Sequence, residues 1–270
     1  MFRKVREAKL GKVTLRVAEE HGRYVGIVLD ATNPTERIEG NNLDDVWRRL
    51  HDEAGKGDAH YFGFDGARSR FLTFFPNGFH SAGYEGDERN YKLAAKAKLD
   101  ATAPVEAAAA GAGYGEAVLA TFRSTNLLSP FEKTRLQDVL RGPAADPFIR
   151  AAARFTLGGG AVALADMEAA LKPHDANKWT VVTYLPYLWR PDAHMFLKPE
   201  VTKDFAARVG HPFASHYEAR LRMSVYESLL DLVGKTEAEL AALKPRDRID
   251  VQSFIWVVGA YKEGVEDPHL

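Results

Sequence analysis

The chain has 270 residues, 46% of them hydrophobic, with 36 Lys and Arg against 37 Asp and Glu, and it contains no cysteine. That is enough apolar material for one large domain or two modest ones without covalent staples. A net charge of -1 excludes a generally basic nucleic-acid-coating protein, and the lack of thiols excludes disulfides, thiolate zinc sites and cysteine nucleophiles.

The N-terminus "MFRKVREAKLGKV" is basic but develops no apolar core, and no stretch approaches the roughly 18 apolar residues of a membrane span. The expectation is a cytoplasmic protein with no membrane partner. From Lys12, "KVTLRVAEEHGRYVGIVLDAT" alternates, with Val13, Leu15 and Val17 on one face, and repeats after "EEHG". This predicts a hairpin. "TERIEG" can add a short third strand. "NNLDDVWRRLHDEAGKG" then reads as a helix capped by Asn42, with Asp44 and Asp45 in its first turn, Gly55 at its end, and Leu43, Val46, Trp47 and Leu50 as its apolar stripe.

The next stretch, "YFGFDGARSRFLTFFPNGF" (61–79), is aromatic and interrupted by Gly63 and Gly66. It is expected to be strand from Arg68 to Phe75, closed by a Pro76-Asn77-Gly78 turn. Helical patterns dominate after residue 80. Asp87 is a candidate cap of the helix carrying Arg89, Lys92 and Lys96, and an Ala-rich segment spans 104–122. In "LSPFEKTRLQDVL", Ser129 and Glu132 form a capping-box pattern with Pro130 at the first helical position. Two short helices flank the loop Gly158 to Gly160.

"KWTVVTYLPYLWRPDAHMFLKP" is expected to be a hairpin turning at Arg190 to Ala193, with Pro186 confining it to an edge or a broken helix. Pro199 and Gly210 bound a helix, Thr236 and Glu239 suggest a second capping box, and Asp250 is expected to cap a last helix with Val251, Phe254, Ile255 and Val258 inward.

Strand parity puts Arg68, Arg70, Leu72 and Phe74 on one face. Arginine beside aromatics on a sheet can bind phosphate and stack bases; the bland alternative is two arginines covering a sheet margin and pairing with acids such as Asp65. Arg89, Lys92 and Lys96 form one helical stripe, while Arg3, Lys4, Arg6, Lys9 and Lys12 crowd the N-terminus. If these segments converge they make a phosphate-tracking groove. The alternative is a solvated helix face complementing its dipole.

His194, His211 and His216 with nearby acids are the material for a metal-dependent hydrolase, although Pro212 interrupts their spacing. Glu7-Ala8-Lys9 has a nuclease-like form but precedes every predicted strand. No P-loop, dinucleotide fingerprint, nucleophile elbow or His-Glu-x-x-His is present. No metal site and no cofactor is therefore assigned.

The segments "KWTVVTYLPYLWRPDAHMFLKPEVT" and "LKPRDRIDVQSFIWVV" resemble parts of poorly characterised bacterial proteins that accompany restriction and DNA-defence systems. The resemblance rests on Trp179, Thr183, Pro186, Lys198, Pro199, Asp250, Gln252, Phe254 and Trp256, about a quarter of the chain. It implies a DNA-transaction context and leaves the activity open.

The expectations are therefore an α+β fold, with a β-rich α/β unit over 1–80 packed on a mainly helical region over 81–270. The two can share an interface as one composite domain. The function expected is nucleic-acid binding without a common catalytic motif, through Arg68, Arg70, Phe74, Arg89, Lys92 and Lys96. DNA or RNA is the expected partner, and the alternatives are a metal-dependent nuclease or a protein-interaction component, including a homo-oligomer.

Overall fold

The alternating N-terminal segment becomes strands β2 (Val13–Glu20) and β3 (Arg23–Leu29), paired antiparallel from Thr14↔Leu29 to Glu20↔Arg23. His21 and Gly22 both have positive φ, as a two-residue hairpin turn that follows strand twist requires. The computed structural model describes residues 3–10, 13–29, 37–55 and 63–261. Two additions complete a four-stranded antiparallel sheet in the order β1-β2-β3-β4: the edge strand β1 (Arg3–Leu10) and the short β4 (Ile38–Gly40). The sequence reading assigned no strand to the basic N-terminus. There, Val5 and Ala8 are three apart with two charged residues between them, and a register shift between Lys4 and Arg6 in the pairing with β2 breaks the period-two pattern.

Helix α1 (Leu43–Gly55) packs on this sheet, and Asn42 caps it by accepting from the Asp45 amide at 3.0 Å. Val46, Trp47 and Leu50 close a small core with Leu15, Val17, Val28 and Ile38. Gly26 permits the contact, because a Cβ there would lie 2.8 Å from Leu50 Cγ.

The segment expected to be strand at 68–75 is helix α2 (Gly63–Phe74). Phe64, Ala67, Phe71 and Phe75 are buried at helical spacing, so the aromatics form one inward stripe instead of two strand faces. Asp52 of α1 caps α2 by accepting from the Phe64 amide at 2.7 Å. Because Phe64, Ala67 and Phe71 belong to the core of the helical body, the two apolar cores part before Gly63, not near residue 80.

The body continues through α3 (Ala82–Tyr84), a π-helical turn at Glu85–Arg89, α4 (Asn90–Thr102), α5 (Val105–Ala110) and α6 (Gly115–Arg123). Asp87 lies inside the π-helical turn and caps nothing. Then come α7 (Pro130–Arg141), which carries the full Ser129–Glu132 capping box, α8 (Ala145–Thr156) and α9 (Gly160–Leu171).

The expected hairpin at 178–199 is instead helix α10 (Trp179–Trp189) followed by a turn. Each residue of α10 is buried, so apolar contact on all sides overrides the β preference of its Val, Thr and aromatic residues. Next are α11 (Pro199–Arg208), α12 (Phe213–His216), α13 (Met223–Glu239) and α14 (Arg248–Ala260). Thr236 is buried within α13, bonding the Leu232 carbonyl, so no second capping box forms. The cap of α14 is Asp247; Asp250 is fully buried one turn in. The fold is α+β with the helical part the larger, and among the described residues no helix is long and apolar enough to cross a membrane.

Candidate functional site

The basic residues singled out in the sequence converge, but on helix α14 and its neighbours instead of on solvent. Arg70 donates from Nε to the Val258 carbonyl at 2.8 Å and from Nη2 to the Tyr261 carbonyl at 2.7 Å, which satisfies the C-terminal end of α14. Its guanidinium lies 5.4 Å from the ring centre of Phe74, which packs edge-on to Tyr261. Arg68 holds the end of α13, bonding the Glu239 carbonyl at 2.9 Å and pairing with Asp65 and Glu239. The strand-parity argument for a shared Arg68–Arg70–Phe74 face therefore falls with the strand.

Arg89 forks onto Asp247 at 2.7 and 2.8 Å and reaches Asp250 at 2.7 Å. Burial works against its charge, yet the two carboxylates raise its pKa further above the ordinary range. Lys92 is fully buried, donating to Glu88 at 2.9 Å and Ser253 at 2.7 Å, and burial lowers its pKa against the pull of Glu88. Burial also opposes charge on Asp250, but bonds from Arg246 and Tyr84 and the field of Arg89 hold its carboxyl below the usual range. Lys96 is shared between Asp100 at 2.8 Å and the Trp189 carbonyl at 3.1 Å. Arg70, Arg89 and Lys92 form a clasp on α14, while Arg68 holds the end of α13 and Lys96 bonds within α4 and to the end of α10.

Three of the N-terminal cations are likewise engaged, and Lys9 is exposed. Arg3 meets Glu19 at 2.5 Å, Lys4 meets Glu7 at 3.5 Å, and Arg6 pairs with Asp44 at 3.2 Å while lying over the Trp47 ring. Lys12 lies outside the described residues.

Two of the three candidate histidines are engaged too, and His216 is exposed at the end of α12. His211 is 2.9 Å from Asp231 through Nε2, and its Nδ1 accepts from the Phe213 amide at 3.1 Å. His194 contacts the Tyr226 hydroxyl at 2.9 Å and the Thr156 carbonyl at 3.1 Å. Burial lowers the pKa of both. Among the described residues no three His, Asp or Glu side chains gather where they could hold a metal ion. A cleft of about 430 Å³ separates α1 from α13. Its charges neutralise one another, Arg48 against Asp45 at 2.9 Å and Glu239 at 3.0 Å, and Lys235 against Asp231 at 3.0 Å.

Uncompensated positive charge lies on α8. Arg150 and Arg154 are four apart, opposite the buried stripe Phe148, Ile149, Ala152 and Phe155. They line a groove of about 360 Å³ with Pro147, Ala151, Asp166, Ala169 and Ala170. The Gly158–Gly160 turn, with φ of +96° at Gly158 and +53° at Gly160, folds α9 back against α8 and so makes the groove. Alanines keep its floor low. Among the described residues neither arginine pairs with a carboxylate; Arg150 Nη2 makes a 3.3 Å contact to the Gly111 carbonyl, and its buried Nε–H has no acceptor. The i,i+4 pair is present in "DPFIRAAARFTLGG", but local charge density does not distinguish it, because density does not say which cations lack acids.

No protein-family model matches the chain, and no curated protein and no solved structure matches it.

Proposed function

We propose that the protein binds nucleic acid through the α8–α9 groove, as a component of a DNA transaction such as defence, without catalysis of its own. Arg150 and Arg154 take backbone phosphates, and the Asp166 carboxylate that shares the groove accepts from base amino groups. The observation that carries this reading is the Arg150–Arg154 pair on one groove wall, neither of which makes an ion pair among the described residues. Arginine's fork suits a phosphate held by two parallel bonds. Binding is favoured over metal-assisted hydrolysis because His194 and His211 have both ring nitrogens engaged.

The test is fluorescence anisotropy with labelled single- and double-stranded DNA and RNA at two salt concentrations. Two phosphate contacts on a single strand give a log–log slope of about -1.4, so affinity falls roughly sevenfold between about 50 and 200 mM salt. Arg150→Ala/Arg154→Ala removes that slope, whereas Arg68→Ala/Arg70→Ala keeps it and lowers stability. Absence of salt-dependent binding, or an unchanged slope in the Arg150→Ala/Arg154→Ala protein, sinks the proposal.

A further inference from the structure

A second site lies away from the α8–α9 groove, where α4, the loop after α6, the start of α11 and α14 meet. A recess of about 20 Å³ is lined by Tyr91, Lys92, Asn126, Leu127, Lys198, Gln252 and Trp256. Behind Lys198, Gln252 and Trp256 lies a further hollow of about 10 Å³. Among the described residues no carboxylate lines either one.

The donors facing this space outnumber the acceptors that the protein provides. Lys198 is half-buried with its ammonium 4.5 Å from the ring centre of Trp256, and among the described residues it makes no hydrogen bond or ion pair. Burial lowers its pKa; the Glu132 field opposes this, and that carboxylate already accepts from Ser129 and Thr180. Gln252 is 5% exposed, and its carbonyl oxygen lies 3.5 Å from the Tyr187 hydroxyl, while its amide NH2 has no protein acceptor among the described residues. The Tyr91 hydroxyl has none either. Lys92 has three N–H bonds and two acceptors, Glu88 and Ser253. Its charge is balanced by Glu88; that of Lys198 is balanced by no contact among the described residues.

We infer that this recess is a binding site for one oxygen of a small oxyanion, a carboxylate or phosphoryl group, with Lys198 as counter-ion and Trp256 as one wall. The volume suits a single oxygen-sized atom, so the remainder of the group lies outside at Lys198. The lining gives the sign of the ligand: unpaired N–H and O–H donors around a lysine and no acid make an anion the complement. The site shares no lining residue with the α8–α9 groove and does not depend on it.

Inorganic phosphate and acetate, titrated separately into the full chain carrying Arg150→Ala/Arg154→Ala, distinguish this site from the groove. Binding is followed by calorimetry and by tryptophan fluorescence, since Trp256 is half-exposed while Trp47, Trp179 and Trp189 are buried. At least one anion is expected to bind saturably and to perturb the fluorescence. Lys198→Met should weaken it at least tenfold. Gln252→Glu, which places a carboxylate in the recess, should abolish it, and this variant decides the matter if Lys198→Met does not fold. Saturation by acetate alone assigns a carboxylate ligand, and by phosphate, with or without acetate, a phosphoryl one. Saturable binding of neither anion, or binding that survives both substitutions unchanged, overturns the inference.

Discussion

At the scale of single residues, Lys92 shows how far a charge can be from the surface role its sequence context suggests. Its stripe with Arg89 and Lys96 reads as a solvated helix face, yet Lys92 and Glu88 are both fully buried. Such a pair is weak evidence of net stabilisation, but breaking it leaves one buried charge alone. Lys92→Met is therefore expected to destabilise by about 3–5 kcal/mol in urea unfolding. The double variant Glu88→Gln/Lys92→Met should recover most of that loss. If the double variant is as unstable as the single one, the penalty lies in packing and not in unpaired charge.

At the scale of elements, caps and stripes decide what forms. Ser129 and Glu132 make a full capping box from a local pattern, because every atom involved lies within four residues. Ser129→Ala should cost about 1 kcal/mol with an unchanged urea slope. The same pattern at Thr236 and Glu239 makes no cap, since α13 runs through it and Glu239 serves Arg48 and Arg68. Gly63 and Gly66 resemble bulge positions, so the α2 sequence reads as strand; the spacing 64, 67, 71, 75 is equally present, and only the partner surface chooses between the two periods. Arg70→Ala should leave α14 in place and fray its last turn, seen as faster hydrogen exchange at the amides before Tyr261. Unchanged exchange there would show that Arg70 does not cap the helix.

At the scale of the whole molecule, the seam between sheet unit and helical body contains a titratable group. His51 of α1 is 1% exposed, bonds the Trp47 carbonyl at 2.9 Å through Nδ1, and lies against Gly210 of the helical body. Burial lowers its pKa to about 4, with Arg6 adding to the shift. The unfolded chain, with an ordinary value near 6.5, thus binds more protons than the folded one between those limits. Stability present above pH 6.5 is lost as pH falls towards 4, by about 3 kcal/mol for His51. His194 and His211 shift the same way, so His51→Gln should flatten part of the acid slope of melting temperature. An unaltered slope in that variant would falsify the assignment. Asp250, held below the usual carboxylate range, loses its contribution only at lower pH, as its carboxyl is protonated in the fold.

Much of the fold was legible without coordinates wherever the interaction was local. The β2–β3 hairpin, the Asn42 and Ser129 caps, the Pro199 helix start and the α8–α9 turn each depend on residues a few positions apart. The sequence by itself determined the fold class, these elements and the lack of thiol chemistry. It could not determine which cations are spent. Arg70 meets the end of α14 more than 180 residues away, Arg89 meets Asp247 and Asp250, and among the described residues Arg150 meets a backbone carbonyl and no acid. That distinction was decided only by tertiary structure, because a charge is available to a ligand when no partner from a distant part of the chain has already been folded against it.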